Sequence, residues 1–146
     1  MAKITAISIS KVRGVPKENI PYAECRIDHG IVGDAHAANW HRQVSFLGQE
    51  SIDKMIQKGA GDLNPGDFAE NVTTEGICLY ELPVGTRFRV GDVEFEVTQI
   101  GKECHHGCAI YQRIGDCVMP REGIFTIVLE EGTIRAGDPV EILPPA

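Results

Sequence analysis

Three cysteines fall within fourteen residues of this chain, and that clustering is where its chemistry would lie. Cys104, Cys108 and Cys117 lie in the run from Ile100 to Arg121 (IGKECHHGCAIYQRIGDCVMPR), with His105 and His106, two of the five histidines. Thiolates and imidazoles ligate zinc, carry redox change and attack electrophiles, so several chemistries compete. Structural zinc would find four ligands locally. Its spacing is poor, because C-H-H-G-C surrounds adjacent histidines that point in different directions and no C-x-x-C pair accompanies it. A redox switch would pair two of the thiols on oxidation, at a spacing unlike the usual oxidoreductase motif. The third reading is a reactive or metal-ligating thiolate at Cys117. A free thiol has a pKa of about 8.5 and needs a nearby cation or metal to ionise at neutral pH. Arg121 and His105 offer that cation, whereas Asp116 would act in the opposite direction. A fourth arrangement leaves all three as buried spectators. Cys25 and Cys78 sit among Ala23, Ile27, Ile77 and Leu79 and read as small core hydrophobes.

A second polar cluster, from His29 to Arg42, combines three histidines with two glycines, Asp34 and Arg42. A third lies at Glu70 and Asn71. Asp34, His36, Arg42, Glu70, Asn71 and Arg121 are the residue types that would wall a pocket for an anionic, hydrogen-bonding ligand such as a phosphorylated pterin.

Short strands must position these groups. Residues 3–12 (KITAISISKV) are rich in β-branched residues and read as a strand, followed by a second around Tyr22 to Ile27 and a third over Gln43 to Leu47. In GQESIDKMIQKG, Ile52, Met55 and Ile56 fall at helical spacing before Gly59, which predicts one short amphipathic helix. Phe68 to Thr73 suggests another strand. TRFRV, Gly91-Asp92 and VEFEVTQI alternate apolar and charged residues around a two-residue turn, so they predict a hairpin with arginines facing glutamates. A short helix over residues 108–114 and strands at Gly123 to Leu129 and Asp138 to Leu143 complete the reading. About seven strands without a strand-helix rhythm predict one mainly β domain over residues 1–146, a closed or nearly closed β-barrel with one or two short helices.

Composition narrows the partners. At 146 residues and 42% hydrophobic the chain can bury a core unaided. A net charge of −7 argues against nucleic acid and anionic membranes. No apolar leader or spanning run is visible, and an odd cysteine count argues against a disulfide framework, so the expected location is the cytoplasm.

The motifs, in order along the chain, resemble the MOSC domain, named for the C-terminal part of eukaryotic molybdenum cofactor sulfurases. They are G-x-x-G-D (Gly30, Gly33, Asp34), R-Q-V (Arg42, Gln43, Val44), F-x-E-N (Phe68, Glu70, Asn71), L-x-V-G (Leu82, Val84, Gly85) and G-T-I-R-A-G-D-P-V (Gly132 to Val140). The likeness is to the stand-alone bacterial form. It implies a β-barrel, a pocket for molybdopterin or the molybdenum cofactor (a tungsten form shares the pterin), and a cysteine that ligates the metal or carries persulfide sulfur. By position, Cys117 matches the molybdenum-ligating cysteine of amidoxime-reducing members. Cys104 matches a Pro-Cys of bacterial members, with Glu103 in place of the proline. Asn71 matches a pocket asparagine, and Ala69 stands where some members hold an arginine. The resemblance leaves three roles open: cofactor handling or sulfur transfer, with a cysteine desulfurase, cofactor-biosynthesis or acceptor enzyme as partner; a molybdenum-dependent reductase of N-hydroxylated compounds; and a non-catalytic escort module.

Overall fold

The computed structural model describes residues 2–12, 15–60, 63–101 and 122–144. The hairpin is where alternation is strongest, and it forms as the pattern demands. Strands β7 (Arg87–Val90) and β8 (Val93–Ile100), numbered among eleven described here, pair with Phe88 opposite Phe95 and Arg89 opposite Glu94. Gly91, at φ +56°, supplies the positive φ that a two-residue hairpin turn requires. On the inner face the Phe88 and Phe95 rings stack 5.7 Å apart, and each meets Phe46 edge-on at 5.1 Å. On the outer face Glu94 receives Arg89 at 3.3 Å and Arg87 at 3.7 Å.

The other strands are β1 (Lys3–Ile9), β2 (Glu18–Ile20), β3 (Tyr22–Arg26), β4 (Gly30–Ile31), β5 (Val44–Gly48), β6 (Val72–Glu75), β9 (Ile124–Glu130), β10 (Gly132–Arg135) and β11 (Val140–Ile142). They build an eight-stranded sheet in the order β11-β7-β8-β9-β5-β6-β1-β2 and a three-stranded sheet β10-β3-β4. All neighbours are antiparallel except β5 and β6, which run parallel. A parallel pair needs a crossover, and here residues 49–71 provide it. The crossover begins with helix α1 (Gln49–Met55), which buries Ile52 and Met55. Ile56, expected on the same face, is exposed, because the helix widens into a different turn over Ile56–Ala60.

Of the closed or nearly closed barrel expected, the mainly β architecture is present but the sheets do not close. The start of β1, the neighbour of edge strand β2, meets the residue before β11 at a single bridge, Lys3 to Pro139, with Ile4 N bonded to the Asp138 carbonyl at 2.9 Å and Val140 N to the Ala2 carbonyl at 2.9 Å. Pro139 has no N–H to extend a ladder, and the far half of β1 is already paired with β2 through Ile7 to Ile9. The strand expected from Phe68 also starts late, at Val72, because Ala69 adopts φ +62° and breaks the extended run.

Two faces of the large sheet are buried. The inner face carries the main apolar cluster, including Ile4, Ile7, Val72, Val97 and Ile124. Leu47, Ile52, Met55, Leu63, Phe68 and Phe125 are buried outside that cluster. No helix among the described residues is long and apolar enough to cross a membrane.

Gly30, in the G-x-x-G-D motif, sits at φ +116°, and a Cβ there would lie 2.6 Å from the Gln43 carbonyl oxygen. Since backbone cannot yield as a flexible side chain does, Gly30→Ala should destabilise by about 2–4 kcal/mol in urea unfolding. A loss below about 1 kcal/mol would show that this close approach relaxes freely.

Candidate functional site

The G-x-x-G-D loop delivers Asp34 into a sequestered polar seam. Its Oδ1 lies 2.7 Å from the ammonium of Lys17, with both side chains withdrawn from solvent. Lys17 Nζ also donates to Ser10 Oγ at 3.1 Å and lies 3.0 Å from His36 Nδ1. An ammonium only donates, so Nδ1 of His36 must accept and its ring proton sits on Nε2. Asp34 further accepts from Ser10 N and His36 N, each at 3.1 Å. Burial pushes the Asp34 carboxyl up, but the hydrogen bonds and charge of Lys17, with help from Ser10 and Asn71, outweigh it and leave its pKa lowered.

Asn71 forms the other half of the seam. Its Oδ1 accepts from Ser45 N at 3.0 Å and its Nδ2 donates to the Ser8 carbonyl at 3.1 Å, so one amide joins β5, β1 and the start of β6. Beside it Glu70 is fully buried, accepting from Phe68 N at 3.2 Å and Thr73 Oγ1 at 2.9 Å. Burial pushes the Glu70 carboxyl up to about 7, against the hydrogen bonds from Gly66, Thr73 and Phe68 that favour its charged form.

Arg42 is placed elsewhere. Its guanidinium lies over the Phe125 ring, 5.1 Å from the centroid, and its Nε donates to Gln99 Oε1 at 3.1 Å. The same oxygen lies 3.0 Å from His41 Nε2, and Gln99 Nε2 donates to the Gly101 carbonyl at 2.7 Å. Gly101 N then donates to the Gly123 carbonyl at 2.6 Å. The chain on either side of segment 102–121 is thus pinned together next to Arg42. Within that segment Cys104, His105, His106, Cys108, Asp116, Cys117, Arg121 and the expected helix over residues 108–114 lie outside the described residues.

A family model matches residues 33–141, described as the MOSC domain. The chain belongs to the MOSC domain family. Its fold is that of YuaD from Bacillus subtilis (TM-score 0.80, 18% identity, covering 97% of this chain and 96% of that one). It is also shared with YiiM from Geobacillus stearothermophilus (0.77, 18%, 99% and 76%) and YiiM from Escherichia coli (0.69, 16%, 100% and 71%). Comparison with curated proteins finds no significant match.

A family linked to molybdenum-cofactor proteins raises the question of whether these residues suit a phosphorylated pterin. Such a ligand needs a cation for its phosphate and both donors and acceptors for its ring edge. Half-buried Arg42, with Gln99 and exposed His41, forms a donor set of that kind. Among the residues expected to bind it, Asp34, His36 and Asn71 are brought together, but Asp34 and Asn71 turn their polar atoms to one another and to the backbone. Glu70 faces its own loop. Three participants escaped the sequence reading. Lys17 and Gln99 carried no spacing signal. Cys78, expected in the core, is exposed, whereas Cys25 is buried and its thiol is pushed up to about 12 by desolvation and by Glu24.

Two measurements test the seam. Lys17→Met strands the Asp34 carboxylate without its cation and should cost about 3–5 kcal/mol in urea unfolding, while Lys17→Met with Asp34→Leu should cost much less. A double-variant loss equal to the sum of the Lys17→Met and Asp34→Leu losses would show that the pair is not coupled. For Glu70 the folded pKa lies above the ordinary 4.5, so the fold favours the neutral acid. Its stabilising contribution is present below pH 4.5 and is lost as pH rises through about 7. Relative to Glu70→Gln, the native protein should therefore lose about 3 kcal/mol between pH 4.5 and pH 8. Parallel stability curves for the two proteins would contradict this assignment.

Proposed function

We propose that this MOSC protein binds molybdopterin in its molybdenum- or tungsten-loaded form and handles it through the Cys117 thiolate, as a metal ligand or as a carrier of persulfide sulfur. Its partners in this reading are a cysteine desulfurase and a cofactor-biosynthesis or acceptor enzyme, in the cytoplasm. The supporting observation is the Gly101–Gly123 hydrogen bond, which ties the ends of the cysteine-rich segment together beside Arg42. Arg42 and Gln99 would hold the phosphate and ring edge of the ligand, and Phe125 beneath the guanidinium fixes the plane from which Arg42 presents its donors. When bound, the cofactor supplies a metal centre able to accept a thiolate ligand or a sulfur atom.

Sulfur loading balances without an outside oxidant. The Cys117 thiolate attacks the outer sulfur of a donor persulfide, a new S–S bond forms, the donor's S–S bond breaks, and the donor thiolate leaves with the electron pair. Cys104 is a second thiol of the same segment that could resolve the product, and Arg121 is the cation nearest Cys117 in sequence on its C-terminal side.

Protein loaded with the molybdenum cofactor should retain metal and pterin by elemental and fluorescence analysis. Arg42→Ala should weaken pterin retention by about tenfold or more, the worth of a charge-assisted contact. Cys117→Ala should lose bound molybdenum or, after exposure to a desulfurase and cysteine, the added sulfur atom seen by mass spectrometry. Unchanged metal and unchanged sulfur in Cys117→Ala would overturn the assignment.

A further inference from the structure

Glu70 is a carboxyl that the fold encloses and leaves without a cation. It stands at the end of the loop Asn64–Glu70, which completes the crossover to β6, and none of its surface reaches solvent. Phe68 N donates to one oxygen at 3.2 Å and Thr73 Oγ1 to the other at 2.9 Å, and among the described residues no ion pair reaches it. The charged groups around the loop are engaged elsewhere. Lys17 holds Asp34 and meets Nδ1 of His36, Glu75 of β6 pairs with Lys3, Asp67 of the loop itself accepts from Asn64 N, and Glu18 is exposed. On α1, Glu50 accepts from Gly76 N, Asp53 accepts from Gln49 and Lys54 pairs with Glu122.

The same loop clasps the segment that leads into β2. The Gly66 carbonyl accepts from both Lys17 N at 2.8 Å and Ala69 N at 2.9 Å, and the Pro65 carbonyl accepts from Asn19 Nδ2 at 2.9 Å. The fit is close and strained. A Cβ at Gly66 would lie 2.4 Å from the Lys17 carbonyl oxygen, and Ala69 is held at φ +62°, which disfavours any residue with a Cβ. Burial of Phe68 holds the loop closed while Glu70 is neutral. An ionised Glu70 would keep only those donors in place of its hydration shell, so charge favours any arrangement that admits water. Release of the loop is such an arrangement, and it relieves the Ala69 backbone.

We propose that the loop Asn64–Glu70 is a proton-operated latch: closed over a neutral Glu70 it clasps Lys17 and Asn19, and when the carboxyl ionises it opens to water and frees the segment that carries Lys17. The latch acts on the polar seam, because Lys17 is the residue that holds Asp34 and meets His36. It depends neither on the cofactor nor on segment 102–121. The direction follows from the two states of the carboxyl. Burial pushes it up to about 7 in the closed form, against an ordinary 4.5 when open, so opening releases a proton between those values and becomes easier as pH rises through them.

Amide hydrogen exchange of the full-length protein, read residue by residue and corrected for the intrinsic rate at each pH, tests the latch. The Lys17 and Ala69 amides, both bonded to the Gly66 carbonyl, should exchange together and faster than the amides of the β7–β8 hairpin. Their protection should fall about tenfold or more between pH 5 and pH 7. Glu70→Gln keeps the shape of the side chain and stays neutral, so protection of the same two amides should then be independent of pH. Loop amides that exchange only as fast as those of the hairpin would show that the loop is released by global unfolding alone and would overturn the proposal, with no variant needed. Protection that stays constant in the native protein, Lys17 and Ala69 amides that open separately, or an equal fall with pH in Glu70→Gln would each overturn it as well.

Discussion

The amide of Asn71 is the contact on which the arrangement of this molecule turns. A parallel pair of strands cannot be made by a tight turn, so β6 has to be brought to β5 after a crossover of some twenty residues. Nothing in the apolar pattern of β6 says where along β5 it should stop. Asn71 supplies that information, because its side chain and backbone together bond to Ser45 on β5 and Ser8 on β1. A slip by one residue would leave several buried donors and acceptors without partners, at about 1–3 kcal/mol each, and would turn every side chain of β6 to the other face. The Lys17–Asp34 pair behind it extends the same logic to the loops that flank β2 and β4. A buried ion pair adds little net stability against a hydrophobic isostere, but it permits only one arrangement of the two loops that supply it.

Once register is fixed, the sites follow from where the strands end. The carboxyl ends of β5 and β6 cannot be closed by a hairpin, because the chain must leave in the direction of α1 on one side and the Gly76 turn on the other. A gap remains between the departing segments, and a cavity of about 330 Å³ whose described lining includes Ser51, Lys54, Cys78 and Tyr80 occupies it. The antiparallel neighbours β8 and β9 behave differently. Their ends are joined by the Gly101–Gly123 bond, which starts segment 102–121 from a single point on the sheet edge. One topology therefore produces both an open hollow and a pinned stem.

Much of this was legible in the residues and some was not, for physical reasons. The β7–β8 hairpin announced itself because its apolar and charged residues alternate with a period of two and its turn is glycine-led. Helix α1 was legible from Ile52 and Met55, but its widened end was not, since Ile56 continues the same spacing into a turn that faces solvent. Local apolar composition placed both Cys25 and Cys78 in the core. It succeeded for Cys25, in a strand where alternation governs, and failed for Cys78, which stands just ahead of the helical turn Leu79–Glu81, where strand alternation no longer applies. The closed form of the expected barrel is not seen, and the approach to closure stops at the Lys3–Pro139 bridge, where proline has no N–H to continue a ladder. Lys17 could not have been found, because a lysine among Val15, Pro16 and Glu18 has the composition of an exposed turn. Of the site, Asp34 and Asn71 were visible as motif residues and His36 as one of the histidines of the polar loop, yet the inward orientation of Asp34 and Asn71 is a property of the assembled sheet alone.

Charge distinguishes Arg42 from the other cations. In a chain carrying −7, the described basic side chains are mostly matched with acids: Lys17 with Asp34, Lys54 with Glu122, Lys3 with Glu75, Arg26 with Glu24, and Arg87 and Arg89 with Glu94. Arg42 is held instead by a neutral amide and an aromatic face among the described residues. A carboxylate partner would cancel the field that an anionic ligand feels, whereas Gln99 and Phe125 fix the guanidinium and leave its charge intact. The half-buried setting strengthens that field by thinning the water around it. An acidic protein can in this way keep one place suited to a phosphate while its surface as a whole repels polyanions, and that place lies where the cysteine-rich segment leaves the sheet and returns to it.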